Sequence, residues 1–226
     1  GGGVVPDAFM ILSRIIASFH NDKGELLIEG LTPTEQDVFE LSDEFVKSSL
    51  SSNGVELFEM DSYSKRLWLE PALSILAIDA PPVAESVNLL IPKAKAKVSL
   101  RLPPTEDPDH AMNMLEKHVK ENTPFNANVE FIPEAKGKGI LVDPKNEFSS
   151  KLIESFNKNW ENKVAYMGVG GSIPFANVFI NEFPNSEIVL VGAGDEEGNA
   201  HAPNESVNID DIKRLITSLI DALSSY

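Results

Sequence analysis

The chain has 226 residues, 19 Lys and Arg against 35 Asp and Glu for a formal net charge of −16, 42% hydrophobic residues and no cysteine. This composition belongs to a folded globular protein with one large or two modest cores, which excludes a disordered chain and a small disulfide-stapled scaffold. The acidic excess repels nucleic-acid phosphates and acidic lipid headgroups, and without cysteine any metal must be held by histidine and carboxylates.

Phe9, Leu12, Ile16 and Phe19 recur at helical spacing from Pro6 to His20, and predict an amphipathic helix buried along that stripe. The turn signal Asn21-Asp22-Lys23-Gly24 and the short apolar Leu26-Leu27-Ile28 follow. Thr32-Pro33-Thr34-Glu35 then reads as the start of a second helix with Val38, Leu41, Phe45 and Val46 on one face. Residues 50 to 72 carry no clear periodicity. Leu73 to Asp79 reads as a strand. From Lys93 to Leu102 the chain alternates strictly, with Ala94, Ala96, Val98, Leu100 and Leu102 on a packed face and Lys93, Lys95, Lys97, Ser99 and Arg101 on a wet one.

Asp107-Pro108 opens a helix with Ala111, Met114, Leu115, His118 and Val119 on one side, and Ala127, Val129 and Phe131 read as a further half-buried strand. This is an α+β layer, and a boundary is expected near residue 137, where Lys136-Gly137-Lys138-Gly139 interrupts the pattern. Beyond it, Glu187 to Val191 predicts a strand buried on both faces of an α/β sheet. Helices from about Asn146 to Trp160 and Ile209 to Leu223 would cover that sheet. The second would be capped by Asn208 and turn Ile212, Leu215, Ile216, Leu219 and Leu223 inward. The longest clean apolar run, Ile188 to Ala193, is far short of the roughly 20 residues that span a bilayer, and the segment from Gly1 to Pro6 has no basic start of a signal peptide.

Two loops are placed for chemistry, since open α/β sheets bind ligands at the carboxyl ends of their strands. In Gly168-Val169-Gly170-Gly171-Ser172-Ile173-Pro174, glycines lead into a helix start whose free N–H groups suit a carboxylate. An ordinary glycine turn before a capped helix explains the same pattern. The loop Gly192 to Glu205 gathers acidic, amide and imidazole groups suited to a divalent cation, yet His201 has no second histidine at metal spacing and reads equally well as a solvent-exposed residue. His20, His110 and His118 read as surface or helix-packing residues, Trp68 and Trp160 as core. Arg101 reads as a solvated charge or as a two-point clamp for a carboxylate.

Taken together, Gly170-Gly171-Ser172-Ile173-Pro174, Ile188-Val189-Leu190-Val191-Gly192 and His201-Ala202-Pro203-Asn204-Glu205 resemble the C-terminal motifs of the dinuclear-zinc aminoacylase/carnosinase/glutamate carboxypeptidase family. Asn88-Leu89-Leu90-Ile91-Pro92 and Ser99-Leu100-Arg101-Leu102-Pro103-Pro104 look like the lid inserted in that family, and Gly2 to Pro6 with the following helix look like the beginning of the insertion. The region of Trp68 leans toward the dipeptidase branch. The resemblance implies an α/β and α+β fold: a ferredoxin-like lid and dimerisation domain over residues 1–137, then the C-terminal part of a zinc-peptidase α/β domain over residues 138–226.

By the same resemblance His201 matches a zinc ligand, Arg101 the lid arginine that holds the substrate carboxylate, and Gly171 with Ser172 the turn facing that carboxylate. Asn88 sits at a lid position that reaches the substrate. Asn204 and Glu205 would brace the loop of His201. Implied with them are two zinc ions in the complete protein, a small peptide or N-acyl amino acid substrate, a homodimer through the lid, no nucleic-acid or membrane partner, and a cytoplasmic setting. The family's remaining metal ligands, catalytic glutamate, lid histidine and first lid strand would all precede Gly1. The chain is therefore expected to be a fragment, inactive by itself. The implied activity is hydrolysis of a peptide or amide bond next to a free carboxylate; the alternative is a non-catalytic lid module that binds a small carboxylate.

Overall fold

The computed structural model describes residues 1–50, 54–141, 144–169, 174–183, 185–195, 198–200 and 202–225. The chain divides into two compact units, Gly1–Gly139 with Met167–Ser172, and Ile140–Tyr166 with Ile173–Tyr226.

In the first unit, helix α1 (Ala8–Ala17) starts where the Asp7 carboxylate accepts the Met10 N–H at 2.9 Å and ends where the Ser18 N–H reaches the Arg14 and Ile15 carbonyls. Ile15 and Phe19 are buried and Ile11 packs beside them, whereas Phe9 is 38% exposed. The covered stripe is thus Ile11-Ile15-Phe19, a strict spacing of four, and the expected stripe through Phe9, Leu12 and Ile16 is corrected. The Phe19 ring, stacked on His118 with centroids 5.4 Å apart, fixes which side of α1 turns inward. The Leu27 N–H then donates to the Phe19 carbonyl at 2.8 Å, which returns the chain past the helix end and buries Ile28.

Strands β1 (Ala72–Asp79) and β2 (Lys95–Arg101) form an antiparallel pair, with Ala72 opposite Arg101 and Asp79 opposite Lys95. Their register shifts between Ile75 and Ala77, so that Leu76 is the extra residue of a bulge. The shift changes the phase of β1. Leu73 and Ile75 face the core before it, and Ile78 stands opposite Ala96 after it. Along β2 the exposure alternates as the sequence predicts, with Ala96, Val98 and Leu100 inward. Helix α4 (Pro108–Glu121), capped by Asp107, lays Ala111, Leu115, His118 and Val119 against this core, also as predicted. The core joins Ile15, Phe19, Ile28, Leu73, Leu115 and Val119, two helices on one face of a sheet.

One expected helix fails because its backbone is engaged elsewhere, and one expected strand makes no ladder. Residues 32 to 42 form no helix, and helix α2 (Asp43–Leu50) begins only beyond them. The Thr34 N–H donates to the Leu69 carbonyl at 2.8 Å and the Leu41 N–H to Ser64 Oγ at 2.8 Å, long-range bonds that a helix would break. Helix α3 (Tyr63–Trp68) lies in the stretch where no periodicity was legible. Residues 127 to 131 keep the predicted alternation of exposure, with Val129 and Phe131 packed on the core, but make no strand ladder.

In the second unit, helices α5 (Glu147–Asn159) and α7 (Ile209–Ser224) pack on each other, and α6 (Pro174–Glu182) lies between them in sequence. The contact uses mostly small residues: Ser149 and Ser155 are buried on α5 beside Leu152, Ser218 and Ala222 on α7, and Ser155 Oγ donates to the Ser218 carbonyl at 2.8 Å. Asn208 caps α7 as predicted, accepting the Asp210 N–H. Of the inward stripe, Ile212, Leu215 and Leu219 are half-buried, but Ile216 and Leu223 are corrected: they are 51% and 63% exposed while Ser218 and Ala222 are fully buried. Contact through Ser218 and Ala222 leaves Ile216 and Leu223 turned out. The strand expected at 187 to 191 is also corrected. These residues are assigned no ladder, Leu190 and Val191 are 57% and 45% exposed, and the described residues of this unit contain no strand to pair with them. Instead Glu187 serves α5: its carboxylate accepts the Phe148 and Ser149 N–H groups at 3.1 and 3.0 Å and the Ser149 hydroxyl at 3.1 Å. Among the described residues no helix is long and apolar enough to cross a membrane.

Candidate functional site

Arg101 ends β2 on its polar face, exposed, with Ala72 as its cross-strand neighbour. Its guanidinium makes no ion pair or hydrogen bond among the described residues. Lys97 on the same face is engaged, 2.6 Å from Glu134. Asn88 lies in the loop before β2 at the centre of a tight turn in which the Leu89 N–H donates to the Val87 carbonyl at 2.7 Å; the residue is exposed, and its amide has no protein partner among the described residues. Gly171, Ser172 and His201, the other sequence-predicted site residues, lie outside the described residues.

The corner that supports Arg101 is built by α3. Ser62 caps this helix, accepting the Lys65 N–H at 3.1 Å. Ser64 is fully buried under the Leu41 amide, and Arg66 donates to the Gly24 carbonyl at 2.6 Å and to Glu70 at 2.9 Å. Leu69, 4% exposed, receives the Thr34 N–H on its carbonyl. These ties hold a helix of one and a half turns that would not persist alone. Trp68 ends it, four residues before Ala72. Gly168 lies against Trp68 so closely that a Cβ there would fall 2.4 Å from Trp68 Cβ and Cγ. The start of the glycine-rich segment is thus seated on the corner that carries β1 to Arg101, a juxtaposition sequence reasoning missed. The glycine itself was visible, but its partner 100 residues upstream was not.

A second polar group lies at the other end of the 102–107 connection. The Glu106 side chain is 4% exposed and accepts from His110 Nδ1 at 2.8 Å and from the Thr32 and Asp107 N–H groups at 3.2 Å each. Burial pushes its carboxyl up, but these hydrogen bonds outweigh burial and hold it below its ordinary value. The Thr34 and Thr105 hydroxyls lie 2.7 Å apart beside it, so the cluster ties the 32–34 segment to the start of α4. His118 packs between helices, its Nε2 3.1 Å from the Ser18 carbonyl. Burial, then the nearby Arg66 charge, lowers His20 below its ordinary value. Among the described residues no three His, Asp or Glu side chains group closely enough to hold a metal, so those residues do not fit a dinuclear centre.

A two-stranded antiparallel sheet backed by helices is an α+β layer. Residues 1–127, more than half of the chain, match the peptidase dimerisation domain, and the chain belongs to that family. It is 28% identical over 235 residues to a cysteinylglycine-S-conjugate dipeptidase of Corynebacterium striatum, covering 100% of this chain and 50% of that protein. It is 25% identical over 230 residues to a Cys-Gly metallodipeptidase of Saccharomyces cerevisiae, covering 92% and 46%. Among solved structures it superposes on a yeast dipeptidase with a TM-score of 0.72 at 22% identity, over 98% of this chain and 49% of that one, a likeness of fold. The chain spans about half the length of the curated relatives it matches.

Proposed function

We propose that residues 1–137 form the lid and dimerisation domain, and residues 138–226 the C-terminal part of the catalytic α/β domain, of a metal-dependent exopeptidase or dipeptidase that hydrolyses a peptide or amide bond next to a free carboxylate. The observation that carries this reading is the guanidinium of Arg101, which has no ion pair or hydrogen bond among the described residues, in a chain that belongs to the peptidase dimerisation family and aligns with two dipeptidases along most of its length. A guanidinium fork makes two parallel hydrogen bonds to a carboxylate and so fixes its orientation as well as its position. In this reading Arg101 and the turn of Gly171 and Ser172 hold the substrate's terminal carboxylate, Asn88 reaches the substrate, and His201 is this chain's metal ligand. Anchoring one end presents a bond a fixed distance from that end, which suits a dipeptide or N-acyl amino acid better than a long chain. The metal implied is zinc, two ions in the complete protein. The partners are a second copy through the lid and a small peptide, with no nucleic acid and no membrane, in the cytoplasm.

Hydrolysis of a simple dipeptide by the protein that carries this chain is expected to stop with a chelator and with His201→Ala. Arg101→Ala is expected to raise KM by roughly 10- to 100-fold, the loss of one charge-assisted pair. Hydrolysis indifferent to the chelator overturns the reading. The absence of a metal-binding group among the described residues favours a second reading, a non-catalytic module that binds a small carboxylate. Carboxylate affinity unchanged by the chelator, without hydrolysis, selects that one.

A further inference from the structure

The ladder of β1 and β2 stops at Arg101, which ends β2 opposite Ala72, the first residue of β1. The end of a two-stranded ribbon frays unless something outside the ladder holds it. Here that hold is Thr34, a buried residue in an irregular segment. Its N–H donates to the Leu69 carbonyl at 2.8 Å, three residues before Ala72. Its Oγ1 accepts the Thr105 N–H at 3.2 Å and lies 2.7 Å from Thr105 Oγ1, four residues after Arg101. One residue therefore ties the chain entering β1 to the chain leaving β2.

Both arms from Thr34 to the strand ends are stiff. Pro71 stands in one and Pro103-Pro104 in the other, and each ring fixes its own φ and restricts the residue before it. Pro103 is fully buried, and Glu70 is held by Arg66 at 2.9 Å. Thr34 is itself β-branched, and the Thr32 N–H beside it donates to the buried Glu106 carboxylate at 3.2 Å. A displacement at Thr34 is thus passed to the strand ends rather than absorbed on the way.

From this geometry we infer that Thr34 is a positioning residue for substrate recognition: by tying the start of β1 to the end of β2 it sets where, and in which direction, Arg101 presents its guanidinium. The inference rests on the reading that Arg101 binds the substrate's terminal carboxylate. A guanidinium fork makes its two parallel hydrogen bonds only when aligned. Misplacing a binding group by about 1 Å is enough to lose on the order of 100-fold in a positioned reaction, so a tie remote from the chemistry has a measurable effect.

The test is the preference for a free carboxylate, read as kcat/KM for a dipeptide against its C-terminal amide, in the whole enzyme containing this chain. Thr34→Val keeps the shape and the N–H bond and removes only the hydroxyl. It is expected to lower the preference about five- to tenfold, through KM for the dipeptide, with kcat changed less than about threefold. Thr34→Ser, which keeps the hydroxyl, is expected to retain most of the preference. Thr105→Val removes the partner hydroxyl and is expected to cause a smaller loss in the same direction, and the double variant to lose no more than Thr34→Val alone, because both act through one contact. If folded Thr34→Val keeps the wild-type preference, or loses activity in kcat alone, Thr34 is merely structural and the inference falls. Should Thr34→Val fail to fold, Thr105→Val decides the question: a lowered preference supports the inference and an unchanged one overturns it. A wild-type enzyme with no preference for the acid over the amide, or a preference untouched by Arg101→Ala, instead overturns the carboxylate-binding reading beneath the inference.

Discussion

The two units bury their helices by different means. The first closes large apolar side chains, Ile15, Phe19, Leu73 and Leu115, between two helices and a sheet. The second brings α5 and α7 together through serine and alanine, a buried serine-to-carbonyl hydrogen bond and a glutamate cap, and leaves Ile209, Ile216, Ile220 and Leu223 at 51–67% exposure on α7. The surface opposite matters: the sheet of the first unit covers Phe19 and Leu115, whereas α5 and α7 bury mainly serine and alanine, with Leu152.

The strongest way to break this comparison is to delete volume in the first unit. Phe19→Ala and Leu115→Ala are each expected to cost about 3–5 kcal/mol, enough to unfold a domain of ordinary stability, whereas Leu223→Ala on the exposed face of α7 is expected to change little. Thermal melts followed by far-UV circular dichroism check this. Equal losses from Leu115→Ala and Leu223→Ala would erase the distinction between the units.

The sequence made the first unit largely legible because its signals are local. Alternation along Lys95–Arg101 and the capped face of Ala111, Leu115, His118 and Val119 survive in the structure unchanged. What it hid were choices made by distant partners. Helical periodicity in residues 32–42 gave way to bonds with Leu69 and Ser64, and the β-branched run after Glu187 found no ladder while Glu187 itself was taken as a cap for α5. In the site, the type and position of Arg101 were readable from its strand, but its lack of an ion pair among the described residues was not, because Lys97 on the same face is paired. The seating of Gly168 on Trp68 was not readable at all.

Acid acts on one carboxyl in each unit. Glu106 is held below its ordinary value of 4.5 by three hydrogen-bond donors that overcome the effect of burial. A carboxyl whose native value is lowered contributes stability that is complete above its unfolded value and is lost as pH falls through the native one. Glu106→Ala is expected to cost about 1.5–3 kcal/mol at pH 7 and less at a pH below the lowered native value of Glu106, where protonation removes the wild-type bonds to a charged acceptor. Urea melts at the two pH values measure it, and a pH-independent difference would contradict the network. Glu187 follows the same sign. Burial raises its carboxyl, the Ser149 and Phe148 donors outweigh that, and the net shift is downward. Glu187→Gln is expected to lower the melting temperature of the second unit at pH 7 and to have no effect at acid pH.

The smallest effect is the most telling about packing. Trp160 Nε1 is buried without a hydrogen-bond partner among the described residues, while the Arg214 guanidinium stands 5.8 Å from the ring centre. An indole N–H stripped of water and left unpaired costs about 1–3 kcal/mol, whereas the ring's apolar contacts and the cation above it contribute in the opposite direction. Trp160→Phe removes the orphaned donor and keeps an aromatic face for Arg214, so its stability is expected to stay within about 1 kcal/mol of wild type, although large-to-small aromatic changes in a closed core ordinarily cost more. Because the chain has two tryptophans, the variant also leaves Trp68 as its sole indole. Its fluorescence then reports the first unit alone. A fluorescence transition that shifts with Leu115→Ala and not with Glu187→Gln would separate the units energetically, and one that shifts with both would join them.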